Sequence, residues 1–279
     1  EQARPEVVFH LAAQALVRPS YASPRETFEV NVLGTVNVLE ALRLSGRPCA
    51  VVAVTSDKAY EEQAGRTAYR EEDPLGGADP YSASKGAAEI AIASYRRSFF
   101  RHGVALASVR AGNVIGGGDW AEDRIVPDIV RALLRGEPVR LRNPRAVRPW
   151  QHVLDALSGY LCLAERLLGE DGQDFAEAWN FGPEPGTDLD VESLTERILQ
   201  VWGGGTWHAT GEEGGPREAG YLALSIDKAK TRLSWRPTWD VVRAVDEAVA
   251  WYRDTETPAF DRTVAQIRMH QEEAARVRS

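Results

Sequence analysis

Short, largely apolar runs alternate with longer amphipathic segments through the first half of this chain. Three runs rich in valine and alanine are predicted as buried strands: Val7–Ala13, Cys49–Ser56 and Val104–Arg110. The segments Pro24–Arg43 and Pro80–Arg101, which separate them, have helical periodicity. Because parallel strands must be joined by crossover connections of this length, the pattern predicts an α/β fold built on a parallel sheet.

After Arg110 the predicted elements become shorter and more mixed. We expect helices and extended segments at 125–135, 139–142, 154–168, 179–182, 191–202 and 241–252. The charged tail over 256–279 is compatible with a further helix.

The charge balance excludes several classes of function. The chain has 41 acidic and 33 basic residues and a formal net charge of −8, which is unlike a nucleic-acid binder. Cys49 and Cys162 lie far apart in apolar surroundings, which favours two small buried side chains over a disulfide or a metal site. No apolar run approaches the roughly 18 residues of a membrane span. We therefore expect no metal, nucleic-acid or membrane partner, and a cytoplasmic location.

Lysine is rare in this chain, which makes each lysine informative. Arginine outnumbers lysine 29 to 4, so a retained lysine suggests a need for a compact ammonium group or for one that can lose its proton. Lys58 and Lys85 are the two that we single out. Lys228 and Lys230 are assigned to a surface helix without a special role.

The most specific local signal is the pair Tyr81 and Lys85, four residues apart near the start of a predicted helix. This spacing places both side chains on one face of the helix. An ammonium beside a phenol favours the phenolate, which would make Tyr81 a general base near neutral pH. The predicted strand that ends near Val54 leads into Ser56-Asp57-Lys58. Catalytic groups of open α/β sheets gather at such strand ends.

With these residues the chain resembles the extended short-chain dehydrogenase/reductases, and within them the nucleotide-sugar 4,6-dehydratases. The motifs that carry the resemblance are Phe-His-Leu-Ala-Ala-Gln (9 to 14), Asn-Val-Leu-Gly-Thr (31 to 35), Ser-Asp-Lys (56 to 58), Tyr81 with Lys85, and Arg-Ala-Gly-Asn-Val-Ile-Gly (110 to 116). Three further segments are similar to the branch acting on CDP-glucose: 55 to 60, 113 to 120 and 148 to 153. The resemblance spans about Val7 to Tyr252.

The resemblance implies a Rossmann-type parallel sheet, NAD as cofactor and a smaller C-terminal α+β substrate domain. It divides the chain into an incomplete dinucleotide-binding domain over 1–118 with 146–182, a nucleotide-sugar-binding domain over 119–145 with 183–255, and the tail 256–279. The family opens with a glycine-rich turn that binds the cofactor pyrophosphate, and this chain contains no such motif. We therefore expect that a βαβαβ stretch of roughly 60 residues is missing before Glu1.

The resemblance also assigns roles to individual residues. Tyr81 takes the proton of the sugar C4 hydroxyl, Lys85 holds the nicotinamide ribose and lowers the tyrosine pKa, and Ser56 hydrogen-bonds the same oxygen. Asp57 is the acid that protonates the leaving C6 hydroxyl. Lys58 is either the base at C5 or a fixed cation that stabilises the enolate.

Further residues are implied as ligand contacts. The cofactor is expected to contact Tyr81, Lys85, Leu11, Ala12, Ala13 and Asn31. The substrate is expected to contact Gln14, Arg18, Ser20, Asn113, Arg142, Arg148 and Tyr221. His10 is expected only to lie near the cofactor.

Two alternatives to a dehydratase stay open. A nucleotide-sugar 4-epimerase shares Tyr81 and Lys85 but needs no acid at C6, so Asp57 and Lys58 favour the dehydratase. A non-catalytic nucleotide-sugar-binding remnant is the second alternative. By resemblance, the helices over 24–43 and 80–101 pair across a twofold axis and form a homodimer.

Overall fold

A computed structural model describes residues 3–63, 68–210 and 222–278. The chain divides into two compact units, each assembled from segments distant in sequence. The first unit comprises 1–112, 158–181 and 222–235, and the second comprises 113–157, 182–221 and 236–279. These boundaries differ from the expected domains: 113–118 and 146–157 belong to the second unit, and 222–235 belongs to the first.

The first unit is built on four parallel strands in the order β1-β2-β3-β8. The bounds of these strands are β1 Val7–His10, β2 Cys49–Val54, β3 Val104–Ala111 and β8 Ala178–Phe181. Val51 of β2 lies between Val8 of β1 and Leu106 of β3. Strands β2 and β3 are buried almost throughout, as expected for parallel strands covered on both faces. The predicted α/β fold with a parallel sheet is confirmed.

The helices of the first unit follow the predicted crossover connections. They are α1 Val17–Ala22, α2 Pro24–Phe28, a π-helical turn Glu29–Leu33, α3 Gly34–Ser45 and α4 Pro80–Ser98, with part of α6 Val153–Leu168. Short helical turns at Asp57–Ala59, Gly172–Phe175 and Ala229–Leu233 complete the unit. The helix predicted over 24–43 is therefore interrupted, because the backbone widens into one π turn at Asn31.

Helix α4 begins at a well-defined cap. Asp79 Oδ1 accepts a hydrogen bond of 2.9 Å from Ser82 N, and Pro80 occupies the first helical position, where no amide donor is needed. The helix packs against α3 and the sheet through a cluster that includes Leu39, Ile92 and Leu106. This packing fixes Tyr81 and Lys85 in its first two turns.

The second unit is a smaller α+β assembly. Its strands are β4 Val114–Ile115, β5 Val139–Leu141, β6 Val147–Arg148, β7 Gln151–His152, β9 Leu189–Asp190 and β10 Trp207–Ala209. Its helices are α5 Ile125–Leu134, the start of α6, α7 Val191–Trp202, α8 Val241–Arg253 and α9 Ala259–Arg278. Its core includes Ile129, Leu194, Ile198, Ala244 and Val249. The tail that the sequence left open is a 20-residue helix, α9. Among the described residues, no helix is both long and apolar enough to cross a membrane.

Candidate active site

The parallel strands of the first unit end at one edge of the sheet, and candidate residues follow three of them. Residues 11–16 form the loop that follows β1, Ser56 begins the turn after β2, and Gly112 follows β3. Helix α4 packs against the turn Asp57–Ala59. The structure therefore brings Tyr81 and Lys85 to the same region as Ser56, Asp57 and Lys58, as expected for the carboxyl edge of an open sheet.

The turn after β2 is held by its own serine. Ser56 Oγ accepts a hydrogen bond of 3.2 Å from Lys58 N and donates one of 2.9 Å to Asp57 Oδ1. Asp57 is only 3% exposed, and its Oδ2 has no hydrogen-bond partner among the described residues. A buried carboxylate oxygen without a partner lowers stability, which is typical of a group kept for a function other than folding.

Gly112 makes this arrangement sterically possible. A Cβ atom at Gly112 would lie 2.1 Å from Asp57 Oδ2 and 2.5 Å from Asp57 Cγ. Only a residue without a side chain leaves room for the carboxylate at this point.

Lys85 and Tyr81 lie largely buried on one face of α4. Burial lowers the pKa of Lys85 to about 8, against the opposing attraction of the Glu89 carboxylate. Among the described residues, the Lys85 ammonium meets one hydrogen-bond acceptor, the Val54 carbonyl at 3.5 Å. An ammonium group can donate three hydrogen bonds, so Lys85 has donors to offer a ligand.

The loop after β1 is tied to α4 by Asn31. Asn31 Nδ2 donates hydrogen bonds to the Gln14 carbonyl (3.0 Å) and to Ser84 Oγ (2.8 Å), and Asn31 Oδ1 accepts one from Gln14 N (2.8 Å). The amide of Asn31 is thus used within the protein. Gln14 donates from Nε2 to Thr27 Oγ1, so its side chain is also engaged.

Ser20, which was predicted to contact the substrate, lies inside the protein. It is completely buried, donates to the Val17 carbonyl and accepts a hydrogen bond of 3.2 Å from Tyr81 N. Its place is beneath the first turn of α4, where it holds the backbone of Tyr81. Arg18, two residues before Ser20 in α1, is half-buried.

His10 is a packed histidine beside the site. Its Nε2 lies 3.1 Å from Thr35 Oγ1, and Thr35 Oγ1 donates to the Asn31 carbonyl. Burial and the positive charge of Lys85 lower the pKa of His10, so the ring stays neutral near pH 7.

The second unit contains three of the expected substrate contacts. Asn113 has a left-handed backbone (φ 45°), and its Nδ2 is buried without a partner among the described residues. Arg148 lies buried on β6 and donates to the Val147 carbonyl at 2.8 Å. Arg142 pairs with Asp123 at 3.1 Å in a half-exposed position. Tyr221 lies outside the described residues.

Sequence reasoning missed a buried polar network under the site. Glu89 and Arg110 form an ion pair of 2.9 Å with both side chains 3% exposed. Arg110 also donates to Tyr60 Oη (2.7 Å), and Tyr60 Oη donates to Asn180 Oδ1 (2.7 Å). Two features of the sequence could have indicated this network. Arg110 is a charged residue at the end of an apolar predicted strand, and Glu89 follows Lys85 by four residues on the same helix.

Lys228 also has a defined environment, which the sequence did not predict. Its Nζ donates to Glu177 and, at 2.9 Å, to the Ala178 carbonyl, and it lies 4.5 Å from the centre of the Trp179 ring. It therefore fixes the end of the first unit's sheet rather than lying free on a surface helix.

The residues present fit the nicotinamide end of NAD, which the sequence resemblance implies. Lys85 offers a buried ammonium group with donors not used by the described residues. Leu11 and Ala12 directly follow β1, so their backbone lies at the carboxyl edge of the sheet, where ligands of open α/β sheets bind. Lys85, Tyr81 and residues 11–13 are the groups that would hold it.

Comparison with known proteins places this geometry in a family. The profile described as the NAD dependent epimerase/dehydratase family matches residues 1–178. The CDP-glucose 4,6-dehydratase of Salmonella typhimurium is 48% identical over 257 residues, which are 90% of this chain and 71% of that protein. The dTDP-glucose 4,6-dehydratase of Streptomyces antibioticus is 33% identical over 258 residues, again 90% and 71% of the two chains.

Solved structures show the same fold. DesIV, a dTDP-glucose 4,6-dehydratase from Streptomyces venezuelae with NAD and TYD bound, matches with a TM-score of 0.77 and 26% identity, over 90% of this chain and 74% of that one. The UDP-glucose 4-epimerase from Thermotoga maritima with UDP-glucose matches with a TM-score of 0.77 and 25% identity, over 91% and 79%. These matches agree with the pair Tyr81 and Lys85 on one helix and with the turn at Ser56 at a strand end. The chain therefore belongs to the NAD dependent epimerase/dehydratase family.

Proposed function

We propose that this protein is a lyase that dehydrates a nucleotide sugar, converting CDP-D-glucose to CDP-4-dehydro-6-deoxy-D-glucose with NAD. The observation that carries the proposal is the buried Asp57, whose Oδ2 has no partner among the described residues, next to Lys58 and on the turn packed against α4. The 48% identity with a CDP-glucose 4,6-dehydratase supports the substrate. An epimerase needs a base at C4 but has no use for an acid at C6.

Tyr81 and Lys85 serve the oxidation at C4. The Tyr81 phenolate accepts the proton of the C4 hydroxyl, and the Lys85 ammonium favours that phenolate and binds the cofactor ribose. Ser56 Oγ, whose single proton is donated to Asp57 Oδ1 in the free protein, would turn that proton to the same sugar oxygen when substrate binds. NAD supplies the hydride acceptor for C4 and, once reduced, the hydride donor for C6.

Asp57 and Lys58 serve the loss of water. The C4 ketone acidifies the C5 hydrogen, which leaves as a proton, and the C6 hydroxyl departs as water after Asp57 has protonated it. Lys58 either takes the C5 proton as the neutral amine or, as the cation, stabilises the enolate while solvent water takes that proton; in both cases a proton returns to C5 from the same group when hydride adds at C6. Asn113, Arg142 and Arg148 hold the nucleotide diphosphate, since guanidinium groups bind phosphate in a bidentate manner.

The direct test compares CDP-, dTDP-, UDP- and GDP-glucose as substrates, with NMR of the sugar product. We expect a 4-dehydro-6-deoxy sugar and the highest kcat/KM with CDP-glucose, and no product from Tyr81→Phe. A galactose-configured product without loss of water would instead establish the 4-epimerase. Binding of nucleotide sugar without turnover would indicate the non-catalytic alternative.

The proposal includes a homodimer formed through α2, α3 and α4. These helices and the turn between them carry Val30, Leu33 and Ile90, which are 38%, 55% and 59% exposed. Apolar surface of this kind is typical of an interface. Sedimentation should show a dimer that Leu33→Glu with Ile90→Glu converts to a monomer. Leu134→Glu on α5, equally exposed, is the control. A monomeric wild type would contradict this part.

A cytoplasmic location is also part of the proposal. Cys49 and Cys162 are both free, as expected in a reducing compartment.

A further inference from the structure

The buried carboxylate of Glu89 has no role in the chemistry proposed above. It lies on α4 one turn after Lys85 and two turns after Tyr81, so the three side chains share one face of the helix. Glu89 is 2% exposed. Burying a carboxylate is costly unless it is paired and hydrogen-bonded, so its partners indicate what it is for.

Glu89 connects α4 to two strands. Its Oε1 accepts a hydrogen bond of 2.5 Å from Thr55 Oγ1, and its Oε2 accepts bonds from Ser108 Oγ (2.8 Å) and Arg110 Nη2 (2.9 Å). Burial alone would raise the pKa of Glu89, but the charge of Arg110 and these three donors hold it below the usual value. The carboxylate therefore stays charged and keeps all three partners.

The bond to Thr55 differs from the other two in what it holds. Thr55 is the residue directly before Ser56. Its backbone N donates to the Val109 carbonyl at 2.8 Å, and its Oγ1, besides the bond to Glu89, lies 3.1 Å from the same carbonyl oxygen. Ser108 and Arg110 lie within β3 and not on the turn itself. One carboxylate oxygen thus anchors the start of the turn, while the other anchors the sheet.

We propose that Glu89 is a positioning residue that, through Thr55, fixes the turn carrying Ser56, Asp57 and Lys58 against Tyr81 and Lys85. The kinetic part of this inference rests on the proposed function. The geometric part does not, because it concerns where two segments of the first unit lie.

A matched pair of variants separates positioning from simple stabilisation. Thr55→Val and Ser108→Ala each remove one hydroxyl donor from Glu89 and leave the Glu89–Arg110 ion pair in place. If Glu89 only stabilises the fold, the two variants should behave alike. If it positions the turn, only Thr55→Val should disturb the site, and Thr55→Ser should restore it.

The scarcity of lysine provides a local probe that needs neither cofactor nor substrate. The chain has four lysines, so ¹³C-lysine labelling yields four side-chain signals, which Lys→Arg variants assign. In Thr55→Val we expect the Lys58 and Lys85 signals to shift, while in Thr55→Ser and Ser108→Ala both stay at their wild-type positions. Unchanged Lys58 and Lys85 signals in Thr55→Val, or equal shifts in Ser108→Ala, would overturn the proposal.

Turnover gives the second readout. We expect kcat to fall about tenfold to hundredfold in Thr55→Val, since a displacement near 1 Å can cost this much, with KM for the nucleotide sugar nearly unchanged. Ser108→Ala should stay within about twofold of wild type in kcat. Wild-type kcat in Thr55→Val would overturn the positioning role. A wild-type protein that dehydrates no nucleotide sugar would contradict the proposed function instead, and the lysine spectra would still decide the inference.

Discussion

At the scale of single residues, the site combines groups that are buried and only partly satisfied. Asp57 has one oxygen held by Ser56 and another without a partner among the described residues. Lys85 is buried with one long contact to a carbonyl. Such groups lower the stability of the folded protein, and they are found mainly at functional sites.

Asp57→Asn tests the acid. Asparagine keeps the shape and can still accept the Ser56 hydrogen bond, but it cannot give up a proton at useful pH. Oxidation at C4 should continue while water loss stalls, so NADH should accumulate in a single turnover followed by absorbance and sugar NMR. Normal dehydration by Asp57→Asn would remove this residue from the mechanism.

A single turnover of the Lys58→Arg variant in D₂O distinguishes the two proposed roles of Lys58. Arginine keeps the cation but has no accessible neutral form. If Lys58 is the base, deuterium should no longer exchange into C5 of the oxidised intermediate. Continued exchange would leave Lys58 as an electrostatic stabiliser.

Lys85 should make stability depend on pH. Its pKa is about 8 in the folded protein and 10.5 in the unfolded chain, so between these values the unfolded state binds more protons and the free energy of unfolding rises with pH. Lys85→Met lacks this contribution. Its stability relative to wild type should therefore fall by about 3 kcal/mol from pH 8 to pH 10.5. Urea unfolding of both proteins across this range measures the difference, and a constant difference would contradict the pKa.

At the scale of elements, the site depends on how closely secondary structures approach one another. The turn after β2 and the end of β3 are in contact because Gly112 has no side chain. Helix α4 reaches the same turn through Glu89 and Thr55. Interiors are packed so densely that one added methyl group at such a contact must displace a neighbour.

Gly112→Ala should therefore impair activity more than stability. The new Cβ would overlap the Asp57 carboxylate, so Asp57 must move, and we expect dehydration to slow at least about tenfold. The control is Gly34→Ala, where the nearest atom to a Cβ is 3.9 Å away. Alanine at Gly34 should leave turnover intact and favour the helix. Full activity in Gly112→Ala would show that Asp57 tolerates displacement.

At the scale of the whole molecule, the chain crosses between its two units five times, so neither unit is a continuous stretch of sequence. Within the second unit, the last helix returns to the start of α6. His270 Nε2 lies 3.0 Å from Asp155 Oδ1, which also accepts a hydrogen bond of 2.6 Å from Thr238 N. The terminal helix is thus an integral part of the second unit's core.

His270→Ala should destabilise the second unit by about 2 to 4 kcal/mol, because it removes a buried ring and a hydrogen bond to a fully buried carboxylate. His208→Ala, at an exposed position on β10, is the matched control and should leave the unfolding midpoint unchanged. Equal midpoints for the two variants would show that α9 contributes little.

Local patterns in the sequence were sufficient for the main strands and the longest helix of the first unit and for part of the site. Residues in one strand or one helix turn are neighbours in sequence, so the runs at β2 and β3 and the spacing of Tyr81 and Lys85 were visible directly. The interruption at Asn31 was not predicted, because no proline or glycine in residues 25–33 marks a break in the helix.

The sequence by itself determined a parallel α/β sheet, a tyrosine and lysine pair on one helix, and a polar triplet at a strand end. Only the tertiary structure decided that Glu89 joins Thr55 across 34 positions, that Gly112 makes room for Asp57, and that His270 reaches Asp155 across 115 positions. The physical reason is that these contacts join residues far apart in the chain. Their partners are chosen by how the elements pack, which periodicity and local propensity do not record.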